Sequence, residues 1–384
     1  MLNLVLSQNS IQSSKTLIMK IRYFFFALLV FAFTSAIAQN ALDEILPIRG
    51  FSISCPKSDG IDRFVKFIDE ELGPKKVNAL ILRVEYNYQF ESHPELRDED
   101  ALSKSDVKKL VNVCKKYDIN LIPQINLLGH QSWHSDLSNL LTNYPEFDET
   151  PHIQLPENYV WPNEDGLYCK SYCPLHPEVH KIVFELVDEI MEVFETNTFH
   201  AGMDEVFYIG DDSCPRCSGR DKAELFAGEV TKIRNHLAAN GGELWIWGDR
   251  LIDGKTTGMG EWEASMNNTH RAIDLIPKDV MICDWHYERV DPTAVMFAMK
   301  GLKVATCPWR TADLAVKQLD LVVDLRENAT PIMKDKYQGM IQTIWDSSES
   351  FMDYYYGIKE VPADTKGNSA ECFKALYKAI GELY

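Results

Sequence analysis

Eight short apolar runs alternate with helical stretches along this chain, and that alternation limits the available folds more than any other feature. The runs cover residues 49–54, 77–85, 120–128, 198–206, 243–251, 279–287, 301–308 and 339–345. Helical periodicity follows each strand, at 61–72, 103–117, 177–196, 221–239, 268–276, 292–300, 311–327 and 369–383 in the order of the chain. Gly73-Pro74 stops the first of these, Ser103 or Ser105 offers an N-cap for the second, and Gly241-Gly242 closes the one after 198–206. Eight strand–helix units predict an α/β fold, a single (β/α)8 TIM barrel over residues 39–384. A doubly wound open sheet is the competing arrangement, but the Gly-rich phosphate turn it carries after its first strand is missing. The segment from Gly129 to about Pro177 is too long for an ordinary connection. Its Trp133, Trp161 and several prolines predict an ordered loop over a site.

A parallel barrel places its chemistry at the C-terminal ends of its strands. Those ends carry Gly129-His130, Asp204-Glu205, Trp247-Gly248-Asp249, Asp284-Trp285-His286-Tyr287, Trp309 and Trp345-Asp346. A tryptophan there can be core packing, and an Asp-Glu pair can be a solvated surface. Four tryptophans and a carboxylate pair at equivalent positions around one mouth instead point to a sugar site. Aromatic faces stack on pyranose C–H surfaces, and carboxylates move protons and stabilise an oxocarbenium-like transition state. Two adjacent carboxylates also resist double ionisation, which keeps one of them protonated as an acid.

Net charge narrows the partners. At −18 the chain is poorly suited to nucleic acid, whose phosphates need excess Lys and Arg. Neutral glycans fit better. Lys20 and Arg22 precede an apolar run from Tyr23 to Phe33, and Thr34-Ser35-Ala36-Ile37-Ala38, with its A-x-A site, lies just before Gln39. This pattern predicts a secretory signal peptide over residues 1–38, with Met19 an alternative start. Export to the periplasm, the cell surface or the medium is the expectation. The run is shorter than the roughly 20 residues a membrane span needs, so no span remains after cleavage.

Nine cysteines follow the leader. Cys55, Cys114, Cys283 and Cys307 lie in or beside apolar runs and read as small buried hydrophobes. Cys169, Cys173, Cys214 and Cys217 form C-x3-C and C-x2-C pairs in polar segments. They are candidates for a structural zinc, with disulfides or free thiols as the competing account in an exported protein.

His200-x-Gly202-x-Asp204-Glu205, after Pro174-Leu175-His176-Pro177-Glu178 and a helix, resembles glycoside hydrolase family 20, the β-N-acetylhexosaminidases. Arg49-Gly50-Phe51, Ile122-Pro123-Gln124-Ile125-Asn126 with Gly129-His130, and Trp247, Trp285 and Trp345 extend the resemblance from about residue 49 to 350. It implies a retaining, cofactor-free hydrolase that removes terminal N-acetylhexosamine through an oxazolinium intermediate. By this resemblance Glu205 is the general acid/base and Asp204 orients the acetamido group. Trp247, Trp285 and Trp345 wall the acetamido pocket, with Tyr287, His130, His200, Lys57, Trp309 and Asp249 as further substrate-binding candidates.

The chain also departs from the family pattern. Ser54 and Lys57 stand where an Asp and an Arg grip sugar hydroxyls, and Gln124 and Asn126 replace an acidic pair. Ser347 replaces a Glu, Met203 a glycine, and the small α/β domain that usually precedes the barrel is absent. Two other functions stay open: a sugar-binding barrel without turnover, and a glycosidase whose nucleophile is Glu261, Glu263 or Glu288.

Overall fold

In the computed structural model, residues 42–157, 169–362 and 365–383 are described. The leader expected over residues 1–38 and Trp161 lie outside them. Eight parallel strands close into a barrel: β1 (Ile48–Ser54), β2 (Ala79–Arg83), β3 (Asn120–Leu127), β4 (Thr198–Gly202), β5 (Glu243–Trp247), β6 (Met281–Trp285), β7 (Lys303–Cys307) and β8 (Tyr337–Thr343). Closure is made by β8 against β1, with Ile48 opposite Gly339 and Ser52 opposite Thr343. The predicted barrel is therefore the observed one.

Main helices follow the strands: α1 (Ile61–Phe67), α2 (Lys104–Lys116), α3 (Val179–Phe194), α4 (Lys222–Ala239), α5 (Thr293–Met299), α6 (Ala312–Asn328), α7 (Ser348–Tyr355) and α8 (Ser369–Gly381). The stretch expected near 268–276 is a 3-10 helix, Thr269–Asp274, so the fifth unit lacks a full α-helix. Ser103 caps α2 through a reciprocal box with Asp106, and Asp221 accepts the Ala223 and Glu224 N–H groups at the start of α4. No described helix is long and apolar enough to cross a membrane.

Strand side chains alternate between two cores. Phe51, Leu80, Leu121, Phe199, Leu244, Ile282 and Val304 face the helices. Ala79, Ile81, Ile122, Trp245, Met281, Cys283, Ala305 and Ile341 fill the barrel. That parity is what aims the site. Continued past the strand ends, the inward positions become Ser54, Arg83, Glu85, Asn126, Tyr287, Trp309 and Trp345, all of which line one cavity at the C-terminal mouth. At the opposite end, fully buried Arg49 binds the Leu46 and Lys76 carbonyls and Asp43, a structural role far from the mouth.

Candidate active site

The chain leaves β4 through three left-handed residues within four positions, Gly202 (φ 66°), Met203 (φ 71°) and Glu205 (φ 49°). Glycine suits position 202, where φ is positive and a Cβ would meet Asn126 Oδ1 at 1.9 Å and the Asn126 Cα at 3.1 Å. Met203 and Glu205 are held in this conformation at about 1–2 kcal/mol each. Glu85 (φ 51°), Leu128 (φ 63°) and His130 (φ 53°) repeat it at neighbouring strand ends. The turn after β4 directs two successive carboxylates toward the mouth, where regular strand geometry would alternate their sides.

The cavity they enter has a volume of about 660 Å3, a size suited to a small ligand. Asp204 and Glu205 sit against His130, whose Nε2 lies 3.2 Å from Asp204 Oδ2 and 3.4 Å from Glu205 Oε2. Burial works against the imidazolium, yet the Cys169 sulfur and the Asp204 carboxylate beside it raise His130 well above the ordinary histidine value. The Cys169 thiol, pushed up to about 12 mainly by burial, keeps its proton, so Asp204 is the charged partner.

The two carboxylates then separate. Burial alone would raise Asp204, but His130 outweighs it and holds Asp204 below the usual carboxylate range. Glu205 goes up to about 7: burial is the main cause, and the Asp204 and Asp249 charges add to it against the pull of His130. One group is an anion and its neighbour a proton donor near neutrality, which is the division of labour acid/base catalysis needs. Buried Oδ1 of Asp204 has no hydrogen-bond partner among the described residues. It is available to a ligand.

Aromatic rings form the walls. Trp285 stacks on Tyr287 with centroids 5.0 Å apart, and Tyr287 meets Trp309 edge-on at 5.2 Å. The Tyr287 hydroxyl oxygen accepts from Trp345 Nε1 at 2.8 Å and lies 3.3 Å from Thr343 Oγ1, whose own proton goes to the Pro308 carbonyl at 3.0 Å. Trp133, on a short hairpin of Ser132–Trp133 and Asp136–Leu137, stands half-exposed at the rim.

Several sequence candidates lie elsewhere. Trp247 and His200 are fully buried one layer below the cavity, because Trp247 pairs with Cys283 and so sits two residues beneath Trp285. Their rings meet tilted, with centroids 4.5 Å apart, and Trp247 lies 6.0 Å from Trp345; neither Trp247 nor His200 lines the mouth. Asp249 is also buried and outside the lining, where its Oδ2 accepts the Glu205 backbone N–H. Lys57 points to solvent, 67% exposed and 3.8 Å from Asp100, because it lies beyond the turn that leaves β1. Glu261, Glu263 and Glu288 do not reach the cavity. Glu263 binds His286 and Glu288 binds Lys366.

Sequence reasoning missed Arg83 and Glu85. Arg83 donates to Ser54 Oγ at 2.5 Å and to the Ile344 carbonyl at 2.7 Å, with its guanidinium 4.5 Å over Trp345. Glu85 accepts the Asn126 N–H at 2.9 Å, and burial lifts it to about 7. The four-cysteine set needs correction as well. Cys169 Sγ lies 3.4 Å from Glu205 Oε2 and 3.5 Å from His130 Nδ1, while Cys173 joins Cys214 and Cys217. Residues 169–173 run extended against Ser132 and Asp148, and four extended residues span about 13 Å, too far for one ion. Glu149 takes the fourth place in that cluster.

A family model, glycosyl hydrolase family 20, catalytic domain, matches residues 76–359. A lacto-N-biosidase of Bifidobacterium bifidum is 27% identical over 214 residues, 53% of this chain and 17% of the relative. A beta-hexosaminidase of Akkermansia muciniphila is 28% identical over 157 residues, 39% of this chain and 30% of the relative. This chain therefore spans less than a third of either relative's length. Among solved structures, the chitobiase of Flavobacterium johnsoniae aligns with TM-score 0.57 at 18% identity, over 88% of this chain and 52% of that one. A beta-N-acetylhexosaminidase of Bacteroides fragilis gives 0.59 at 16% identity, over 88% and 66%.

Proposed function

The chain belongs to glycosyl hydrolase family 20, and from that premise we propose that it hydrolyses terminal N-acetylhexosaminides with retention, using the substrate's own acetamido group as nucleophile. The observation that carries this reading is the split between Asp204 and Glu205 across a shared His130. The acetamido oxygen attacks the anomeric carbon while Glu205 gives its proton to the departing glycosidic oxygen. Asp204 accepts the acetamido N–H through its unpartnered Oδ1 and offsets the positive charge of the oxazolinium ion. Tyr287 donates its hydroxyl proton to the acetamido oxygen. In the second step the Glu205 carboxylate takes a proton from water, which opens the ring and restores the acid. Because the nucleophile is already attached, much of the entropic cost of bringing reactants together is avoided.

Trp285, Trp345 and Trp309 supply the stacking faces, and Trp133 at the rim suits the sugar that leaves. The reading includes export by residues 1–38, checked by N-terminal sequencing of the mature protein, which should begin at Gln39. A glycosidase with a protein nucleophile at Glu261, Glu263 or Glu288 is disfavoured, since none of these lines the cavity. A binding-only barrel gives no reason for a carboxylic acid held near 7 beside an ionised aspartate.

The test is release of N-acetylglucosamine and N-acetylgalactosamine from aryl β-glycosides. Glu205→Gln should lower kcat by about 10²–10⁴, and Asp204→Asn should also weaken a thiazoline mimic of the intermediate. Hexosides without the acetamido group should be inert. Unchanged rates in both variants, or cleavage of plain hexosides, would overturn the proposal.

A further inference from the structure

Outside the catalytic cavity, Glu149, Cys173, Cys214 and Cys217 bring one ligating atom each to within 4.8 Å of one another, and all four residues are buried. We propose that they hold a structural zinc ion that pins the long loop after β3 to the loop after β4. The inference does not depend on the proposed activity.

Spacing is the first argument. Cys173 Sγ lies 3.6 Å from Cys214 Sγ and 3.5 Å from Cys217 Sγ. Tetrahedral zinc–sulfur bonds of about 2.3 Å put neighbouring sulfurs about 3.7 Å apart, whereas a disulfide needs about 2.05 Å. The sulfurs already surround a point, and no pair of them is drawn together.

Glu149 is the second argument. It is fully buried; Oε1 accepts the Asp211 N–H at 3.1 Å, and the Cys214 and Cys217 thiols hydrogen-bond the same carboxylate. Among the described residues no Lys, Arg or His nitrogen lies within 4.0 Å of this carboxylate. A buried carboxylate without a countercharge is costly. A disulfide between two of the cysteines would leave the third thiol and this carboxylate as they are. A divalent cation satisfies all four donors together.

The backbone is the third. The N–H groups of Arg216 and Cys217 point at the Cys214 sulfur, and that of Leu175 at the Cys173 sulfur. The turn Cys214-Pro215-Arg216-Cys217 presents two sulfurs from one side. The strand-like contact between Asp148 and Tyr172 presents the other two ligands, with Glu149 N–H bonded to Ser171 and Cys173 N–H to Phe147. Three sulfurs and one oxygen in a small tetrahedral space suit zinc better than calcium or magnesium. With four protein ligands no position is left for substrate or water, so the role is structural. Cys173 is joined by one extended segment to Cys169, which touches Glu205, so the ion steadies one wall of the mouth.

The decisive measurement is metal content and X-ray absorption on the full protein, expressed with zinc and purified without chelator. One zinc per chain is expected, with three sulfur neighbours at about 2.3 Å and one lighter donor at about 2.0 Å. Cys217→Ala should lose the metal, while Cys169→Ala should keep it, which separates this ligand set from the four-cysteine set. Wild-type protein without zinc, an intact mass two daltons low with Cys214 joined to Cys173 or Cys217, or Cys217→Ala retaining full zinc would each overturn the proposal. If Cys217→Ala does not fold, the wild-type zinc content, mass and absorption spectrum still decide.

Discussion

The backbone N–H of Glu205 donates to Oδ2 of Asp249 at 2.9 Å, and the same oxygen accepts from Arg250 Nε at 2.5 Å. Arg250 is fully buried and also donates to the carbonyls of Glu261, Trp262 and Ala264. Asp249 therefore fixes the left-handed Glu205 from behind and adds negative charge to its surroundings. In Asp249→Asn that charge goes, so Glu205, now at about 7, should titrate lower. The alkaline limb of kcat should move to lower pH. Arg250 loses its anion, and stability should fall by about 3 kcal/mol, read as a lower denaturant midpoint. An unmoved limb together with an unmoved midpoint would show that the Asp249 charge serves neither role.

His130 acts on both carboxylates, Asp204 and Glu205, in the same direction. In the proposed mechanism Asp204 must be ionised to accept the acetamido N–H, so activity should be lost at low pH as it takes a proton. By the same proposal Glu205 must be protonated, so activity should be lost as pH rises through about 7. His130 lowers both groups. His130→Gln removes that charge, and both limbs of the kcat profile should shift upward by about one pH unit or more. A profile that drops in height with both limbs in place would assign His130 a purely steric role.

Tyr287 offers a sharper test of the acetamido geometry. Its oxygen accepts from Trp345 Nε1, and the residue lines the cavity. The acetamido oxygen gains bonding to carbon only as the reaction proceeds, so a donor aimed at it should favour the transition state over the ground state. Tyr287→Phe should lower kcat by about 10²-fold with a smaller change in KM. It should also cost about 1 kcal/mol of stability through the orphaned Trp345 N–H. A change confined to KM would make Tyr287 a passive wall.

The eight strands were legible because each combines an apolar run with two-residue parity, and the Asp204-Glu205 position followed from that count. Depth was less legible. Trp247 and Trp285 each end a strand, but the sequence carries no stagger, and the stagger leaves Trp247 beneath the mouth. Arg83 and Glu85 did have a signal, since Ala79 and Ile81 face the barrel interior and the next two positions of that parity are these charges. Reading residues 77–85 as one apolar strand hid it. Glu149 had none. A bridge between Asp148 and Tyr172, 24 positions apart, brings it to the cysteines, and no local spacing encodes that contact.

Arg83 and Glu85 line the cavity, while Ser54 is short and Lys57 faces solvent, so we propose that these two hold sugar hydroxyls. Arg83 presents a fixed guanidinium between Ser54 and Trp345, so Arg83→Lys, which keeps charge but loses the planar fork, should raise KM about 10-fold with a smaller effect on kcat. Glu85 poses a question of pH. Burial is the main cause of its value of about 7, so it is neutral below that pH and a carboxylate above it. A carboxylate accepts hydroxyl hydrogen bonds more strongly than the neutral acid. KM should therefore fall as pH rises through about 7, over the range where kcat falls because Glu205 loses its proton. In Glu85→Gln the pH dependence of KM should flatten while the alkaline limb of kcat remains. If that limb disappears instead, the proton that limits turnover belongs to Glu85, and the acid assigned to Glu205 is wrong.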